Sequence, residues 1–215
     1  MKINKLLLLI LCTLFLFGCT NIRDLSYDEI TNIFTHDNKK ANTSRRGYKY
    51  YLPSGMNNVN YGNYYEILKA NRNYYYLYVD MISYINKVEN KYETDDNADY
   101  SQIIKNGKKY GYLEINLVEN NKYLIEIMYN YAKIEVMVDS DSVNEALIYS
   151  VNILNSIEYN NSVIKNMLST DTLNYTEEEF NLFETGVDNS NKLEYIEEEI
   201  IEEEEPELKD TDYVN

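Results

Sequence analysis

The sequence predicts an α+β domain in which an antiparallel β-sheet meander is packed by helices. Three stretches alternate apolar and polar residues with a period of two, as strands do when one face is buried. They are 112–118, 122–129 and 133–138. A stretch with helical spacing follows, in which Val143, Leu147 and Val151 fall on one apolar stripe. Because an apolar sheet face and an apolar helix stripe bury each other, these patterns together predict the fold class.

The elements before the meander begin with a short helix. Ser26, followed three residues later by Glu29, has the capping-box pattern that marks a helix start, and the apolar spacing ends near His36. Turn-forming residues and renewed alternation then predict two strands. In order, the predicted segments are a polar connection (37–47), a strand (48–52), a Pro53-Ser54-Gly55 turn and a second strand (64–68).

A third, longer strand is predicted over 74–84, and its alternation divides its side chains between two faces. One face receives an apolar set and the other a tyrosine set: Tyr75, Leu77, Val79 and Met81 against Tyr74, Tyr76 and Tyr78. Asn106-Gly107 favours a tight hairpin turn, because both residues tolerate a positive φ. Ser142, with Glu145 three residues later, repeats the capping-box pattern and predicts the start of the helix that covers the sheet.

The first 18 residues have the pattern of a secretory signal peptide, with two lysines before an apolar run shorter than a membrane span. The run ends in Leu16-Phe17-Gly18-Cys19, which resembles the lipobox of bacterial lipoproteins, although Phe17 is bulkier than the residue usual there. The resemblance implies cleavage before Cys19 and a diacylglyceryl group on its thiol. It also implies a lipid-anchored place on the extracytoplasmic face of the bacterial cell membrane. The alternative is an ordinary buried cysteine in an apolar segment.

Lipidation would have two physical consequences. Two acyl chains hold a protein stably at a bilayer, whereas one holds it only marginally. Cys12 lies in the apolar run and would leave with the signal peptide, so Cys19 would have no disulfide partner. The mature domain is therefore expected to be stable without a disulfide.

The segments YKYYLPSGM and IEVMVDSDSVNEALIYSVNILNSIEY, together with the meander between them, resemble the Mog1/PsbP-like α/β/α sandwiches. Met56 stands where many members of that superfamily have Trp. The layout is also similar to small uncharacterised lipoproteins of AT-rich Gram-positive bacteria. The resemblance implies a scaffold for partners, since members of the superfamily are mostly non-enzymatic binding or assembly factors.

The charge of the chain is concentrated at its C-terminal end. The net charge is −16, and residues 177–215 hold 16 acidic and 2 basic residues. The domain before them is close to neutral and has no strongly basic face, which disfavours nucleic acid as a partner. The predicted organisation is a signal peptide (1–18), a lipidated N-terminus with helix and linker (19–47), the α+β domain (48–168), a short helical extension (169–187) and an acidic tail (188–215).

The acidic tail is expected to be disordered or partly helical, because like charges repel one another along the chain. Ile196, Ile200 and Ile201 keep a helical spacing, so a partner protein of the cell envelope could fold this segment. The alternatives are a tail that only keeps the protein soluble, or one that captures multivalent cations.

Two surfaces of the domain are candidates for binding. Tyr74, Tyr76 and Tyr78 could form an aromatic binding surface, since tyrosine combines a large apolar ring with a hydroxyl. The alternative is that the N-terminal helix or the region of Phe180 covers them. The basic residues Lys39, Lys40, Arg45 and Arg46 could rest on anionic lipid headgroups, or could belong to a solvated linker.

The sequence offers no catalytic set, cofactor motif or complete metal site. His36 is the only histidine and is expected to lie at a helix C-terminus. Asp95, Asn97 and Asp99 have the spacing that starts a calcium loop, but Tyr100 and Asn106 stand where that loop needs Gly and Glu. Asp139 and Asp141 show the same partial pattern and fit helix capping better. The expected function is a lipid-anchored, non-enzymatic binding or assembly factor, with a small-ligand or cation-binding lipoprotein as the alternative.

Overall fold

The computed structural model of the chain describes residues 24–36 and 39–170. These residues form an α+β fold with mostly antiparallel strands, as predicted. The strands are β1 (Thr43–Ser44), β2 (Tyr48–Tyr50), β3 (Met56–Tyr61), β4 (Tyr65–Ala70), β5 (Asn73–Val79), β6 (Tyr100–Asn106), β7 (Lys109–Leu117), β8 (Lys122–Tyr129), β9 (Ala132–Asp139) and β10 (Glu158–Tyr159). The helices are α1 (Tyr27–Thr31), α2 (Ile33–His36), α3 (Met81–Asn86), α4 (Val143–Asn155) and α5 (Asn161–Thr170).

The strands form two sheets. The larger has seven antiparallel strands in the order β3-β4-β5-β9-β8-β7-β6, and the smaller has the order β1-β2-β10. The predicted meander is confirmed, because β6 to β9 pair in succession through two-residue turns and short connections. Strands β3 and β6 are the two edges of the larger sheet, and β3 carries a register shift between Asn58 and Asn60.

The inner face of the larger sheet is apolar and is covered by α4. Across the central strands this face presents Leu77, Ile134, Ile127 and Leu113, which lie opposite one another and are at most 1 % exposed. Helix α4 packs on β8 and β9 and contributes buried apolar side chains of its own, including Leu147. The predicted pairing of an apolar sheet face with an apolar helix stripe is therefore confirmed.

Helices α1 and α2 also lie on the inner side, where they pack against α4. The predicted capping box is present, since Ser26 Oγ accepts from Glu29 N (3.3 Å) and Ser26 N donates to Glu29 Oε2 (2.8 Å). The two helices follow β6 from end to end. Tyr100 Oη donates to Asp28 at the start of the strand, and Asn106 Nδ2 donates to the Phe34 carbonyl at its end.

The prediction of one strand over 74–84 is wrong beyond Val79. The chain turns into α3 at Asp80, whose carboxylate accepts from Ser83 N (2.8 Å) and so caps the helix. Met81 and Ser83 are the buried residues of this helix, and its C-cap, Lys87, adopts a left-handed backbone conformation. The apolar period of this stretch fits a strand as well as a short helix, and the capping aspartate decides between them.

Two further expectations differ from the structure. Ser142 makes no side-chain cap at the start of α4, because a 3₁₀ turn over Ser140–Ser142 precedes the helix. Glu145, its expected capping-box partner, instead accepts from Asn71 Nδ2 at 3.3 Å. Strand β3 was not expected, because its sequence, MNNVNY, is half asparagine and shows no apolar alternation.

None of the described helices is long and apolar enough to cross a membrane.

Candidate functional site

The outer face, defined as the face of the seven-stranded sheet opposite α4, holds the tyrosines singled out in the sequence. The register places Tyr78 between Tyr65 and Lys133, and Tyr76 between Ile67 and Glu135. Residues directly opposite one another on neighbouring strands have their side chains on the same face and in contact range. We call Tyr65, Ile67, Lys69, Tyr74, Tyr76 and Tyr78 the tyrosine face.

The side chains of the tyrosine face are held in defined positions. Lys69 Nζ donates to Tyr74 Oη at 2.9 Å and lies 4.6 Å from the centre of the Tyr74 ring. Tyr74, Tyr76 and Tyr78 are half-buried, and Tyr65 is 42 % exposed. Helices α1 and α2 pack against α4 on the inner side, not on this part of the sheet. The alternative that the N-terminal helix covers these tyrosines is therefore wrong, and Phe180 lies outside the described residues.

A row of three glutamates continues from the tyrosine face across the next strands. Glu135, Glu126 and Glu114 lie directly opposite one another on β9, β8 and β7. Like charges in this arrangement destabilise a sheet unless each has a partner. Lys133 supplies one, because its Nζ lies 2.6 Å from Glu135 Oε1 and 3.9 Å from Glu126 Oε2. The third carboxylate, Glu114, accepts from Asn116 Nδ2 at 2.7 Å.

Two stacked tyrosines complete this row. The rings of Tyr92 and Tyr112 are 4.0 Å apart and nearly parallel, at 3°. The Tyr92 hydroxyl donates to Glu114, and the Tyr112 hydroxyl donates to Glu126. Burial and the Glu114 hydrogen bond raise the pKa of Tyr92 to about 12, and burial with the Glu126 charge raises the pKa of Tyr112 further. Both hydroxyls therefore remain protonated donors at physiological pH.

The inner face holds a second polar cluster, centred on Glu66. This side chain is fully buried, and its carboxylate accepts from Arg45 Nη2 (2.7 Å), Tyr48 Oη (2.8 Å), Tyr50 Oη (2.8 Å) and Asn58 Nδ2 (2.7 Å). Burial and the nearby Glu66 charge raise the pKa values of Tyr48 and Tyr50. A carboxylate with four donors has little remaining capacity to bind a ligand, so the cluster joins β2, β3 and β4 structurally.

The Glu66 cluster changes the expectation for the basic residues. Arg45 is not free to rest on lipid, because its side chain is only 22 % exposed and its guanidinium is paired with Glu66. Lys39, Lys40 and Arg46 are exposed. Their segment follows α2, which ends beside the β6–β7 turn, whereas Asp28 of α1 lies at the other end of β6. These two ends are about 20 Å apart, the length of the seven residues of β6. The segment of exposed lysines therefore begins at the opposite end of β6 from α1.

The carboxylates of the calcium-like pattern at Asp95 and Asp99 accept hydrogen bonds from other groups of the protein. Asp95 Oδ1 accepts from the backbone and side-chain nitrogens of Asn97, and Asp99 Oδ2 accepts from Leu117 N. Asp139 precedes the 3₁₀ turn before α4. Among residues 24–36 and 39–170, no three His, Cys, Asp or Glu side chains are grouped so as to hold a metal ion.

A cavity of about 520 Å³ lies between the start of α1, the start of β6 and the start of α4. Its lining includes the carboxylates of Asp28 and Asp141 and the ring of Tyr27. Asp28 already accepts from Tyr100 Oη at 2.6 Å. Sequence patterns did not indicate this cavity, because it is formed by three segments that are at least forty residues apart in the chain.

Several predicted site residues lie outside the described residues. They are Leu16, Phe17, Gly18 and Cys19 of the lipobox and Ile196, Ile200 and Ile201 of the acidic tail. Sequence reasoning missed Tyr65 as a member of the tyrosine face, although its place in an alternating strand beside Tyr64 could have indicated it. No protein-family model, curated protein or solved structure matches this chain.

Proposed function

We propose that this chain is a lipid-anchored extracytoplasmic protein that binds or assembles another envelope protein without catalysis. The N-terminal pattern ending in Cys19 supports the anchor. The tyrosine face supports the binding role, and it is the observation that carries the proposal. It groups four tyrosines, an isoleucine and a lysine on two neighbouring strands.

The chemistry of this surface suits a protein partner. Tyrosine is enriched in protein interfaces because it contributes a large, rigid, apolar ring and a hydroxyl with little loss of side-chain entropy. Lys69 at one border adds a positive charge that would help to fix the orientation of a partner. Small molecules instead prefer concave sites, and the tyrosine face is part of a sheet surface.

We also propose that the domain is a Mog1/PsbP-like sandwich. Its support is the Pro53-Ser54-Gly55 turn before β3, and the step from the last long strand, β9, into the covering helix α4. A superfamily of mostly non-enzymatic binding and assembly factors agrees with the proposed role, although a fold by itself is compatible with many functions.

Site-specific photo-crosslinking in intact cells tests the binding role. A photoreactive phenylalanine analogue replaces Tyr78 in one variant, and replaces exposed Tyr61 at the edge strand β3 in a matched control. We expect one discrete crosslinked protein from position 78 and none from position 61. Equal labelling at both positions, or none at position 78, would contradict the proposed binding surface.

A second variant separates the anchor from the binding role. Cys19→Ala should release the protein from membranes or leave it unprocessed, while crosslinking from position 78 persists in detergent extracts. Membrane retention and palmitate labelling that survive Cys19→Ala would refute the anchor alone.

The cavity beside Asp28 favours the alternative function, the binding of a small cationic ligand. A thermal shift with organic amines that Asp28→Asn abolishes would favour that function instead.

A further inference from the structure

The free edge of β6 differs from the other edge of the sheet. Strand β6 keeps an unbroken register with β7 from Tyr100 to Asn106. Strand β3, in contrast, is interrupted by the shift between Asn58 and Asn60, a device that blunts an edge. An unbroken edge strand presents a row of backbone N–H and C=O groups that another strand can pair with.

The hairpin turn determines which groups of β6 point outward. Asn106 and Lys109 flank a two-residue turn and face each other, so they exchange both backbone hydrogen bonds. Alternate residues back along β6 therefore bond to β7, and the backbone groups of Ser101, Ile103 and Lys105 point away from it. Across residues 24–36 and 39–170, no backbone hydrogen bond reaches these outward groups from another segment.

The first part of this edge is bordered by another segment. Ser101 Oγ contacts the Tyr92 hydroxyl at 2.8 Å and accepts from Asp95 N at 3.0 Å. On the outer side the open part is therefore the stretch around Ile103 and Lys105, while α1 and α2 follow the inner side of β6. Ile103 is 37 % exposed, so its side chain is accessible on this stretch.

The charge at this open edge is positive. Lys105 and Lys108 are exposed, and Lys109 follows them across the turn. The ion pairs among the described residues engage other basic side chains: Arg45, Lys49 and Lys133. Lys105 and Lys109 lie only against tyrosine rings, at 5.8 Å and 5.6 Å from the ring centres. A partner strand carrying carboxylates would meet Lys105 and Lys108 here.

We propose that the open edge of β6 binds an extended acidic segment of a partner protein by strand addition. The backbone of the partner pairs with the outward groups of Ile103 and Lys105, which gives affinity. Its acidic side chains meet Lys105 and Lys108, which gives selectivity. The inference takes from the proposed function only that the chain is a binding protein. It concerns a different surface from the tyrosine face.

A fluorescent nine-residue peptide that alternates glutamate and valine is the probe, titrated against the full-length protein in detergent micelles. The comparison peptide has lysine in place of every glutamate. We expect saturable binding of the acidic peptide and none of the basic one. In the Lys105→Glu/Lys108→Glu variant, binding should weaken by about tenfold or more, since both contacts become repulsive. The matched control Lys122→Glu, at the far end of the sheet, should change it by less than about twofold.

Ile103→Pro tests the backbone pairing separately. Proline removes an outward N–H and leaves the hydrogen bonds between β6 and β7 intact, so the fold should persist by circular dichroism while the acidic peptide no longer binds. Retained binding in Ile103→Pro, or equal binding of both peptides, would overturn strand addition. If no peptide binds and Lys105→Val makes the protein self-associate, the lysines only protect the edge, and the proposal is wrong. None of these results depends on crosslinking from position 78.

Discussion

Replacing Arg45 by methionine removes the cation that faces the buried carboxylate of Glu66 while keeping a side chain of similar length. Breaking a fully buried ion pair costs about 3–5 kcal/mol, because one charge is left without its partner. Arg45 is 22 % exposed, so water can partly replace the guanidinium. Tyr48, Tyr50 and Asn58 continue to donate to the carboxylate. We therefore expect a loss near the lower end of that range, about 3 kcal/mol.

Urea unfolding measures this loss as a shift of the midpoint at constant slope. Lys49→Met is the matched control on the neighbouring β2 strand, because Lys49 pairs with Glu158 at 2.9 Å while both side chains are about half exposed, 50 % and 56 %. An exposed pair contributes about 1 kcal/mol or less. Adding Glu66→Gln to Arg45→Met should recover part of the loss, since it removes the unpaired charge. Equal midpoints for Arg45→Met and Lys49→Met would refute this reasoning.

Three further predictions concern pH and local structure. Because the pKa of Tyr92 is raised from 10.0 to about 12, its contribution to stability is complete below pH 10 and is lost as pH rises through 12; alkaline unfolding followed by tyrosinate absorbance checks this, and ionisation of every tyrosine at pH 10 would contradict it. Asp80→Ala should cost about 1 kcal/mol by removing the cap of α3, and an unchanged urea midpoint would contradict the cap. Gly111→Ala should destabilise the fold more than Gly107→Ala in the same assay, because its Cβ would overlap the Met128 carbonyl oxygen, whereas a Cβ at Gly107 meets open space and costs only the strain of its positive φ; the reverse order would contradict the register of β7 and β8.

The meander and its covering helix could be predicted from the sequence because their signals are local. Alternation along β7, β8 and β9 and the apolar stripe of α4 each extend over one continuous segment. The capping box at Ser26 is likewise complete within four residues. Such patterns can be recognised without knowing which distant residues come into contact, so they predict the elements correctly.

The parts that could not be predicted depend on distant residues. Glu66 lies beside the apolar residues Ile67 and Leu68, and its donors come from 8 to 21 residues away, so no local pattern indicates that it is buried and paired. Strand β3 is polar because it lies at the edge of the sheet, and its Asn58 side chain donates a hydrogen bond to Glu66. The row of Glu114, Glu126 and Glu135 is visible only once the register of three strands is known.

The candidate site was predicted in part for the same reason. The alternation of β5 places Tyr74, Tyr76 and Tyr78 on one face, and the register shows them there. Tyr65 and Lys69 join them only through pairing with β4. The open edge of β6 follows from the order of strands in the sheet, and strand order has no local signature.

The measurement that tests the central proposal most directly is the mass of the N-terminal peptide of the mature protein, isolated from cell membranes. The proposed lipid-anchored binding protein requires this peptide to begin at Cys19 and to carry a diacylglyceryl group. In the wild type, hydrolysis of the two ester-linked acyl chains should lower its mass by those chains and leave the glyceryl thioether on Cys19, and Cys19→Ala should abolish the lipidated peptide. An unmodified Cys19, or a mature chain that still begins at Met1, would contradict the proposal.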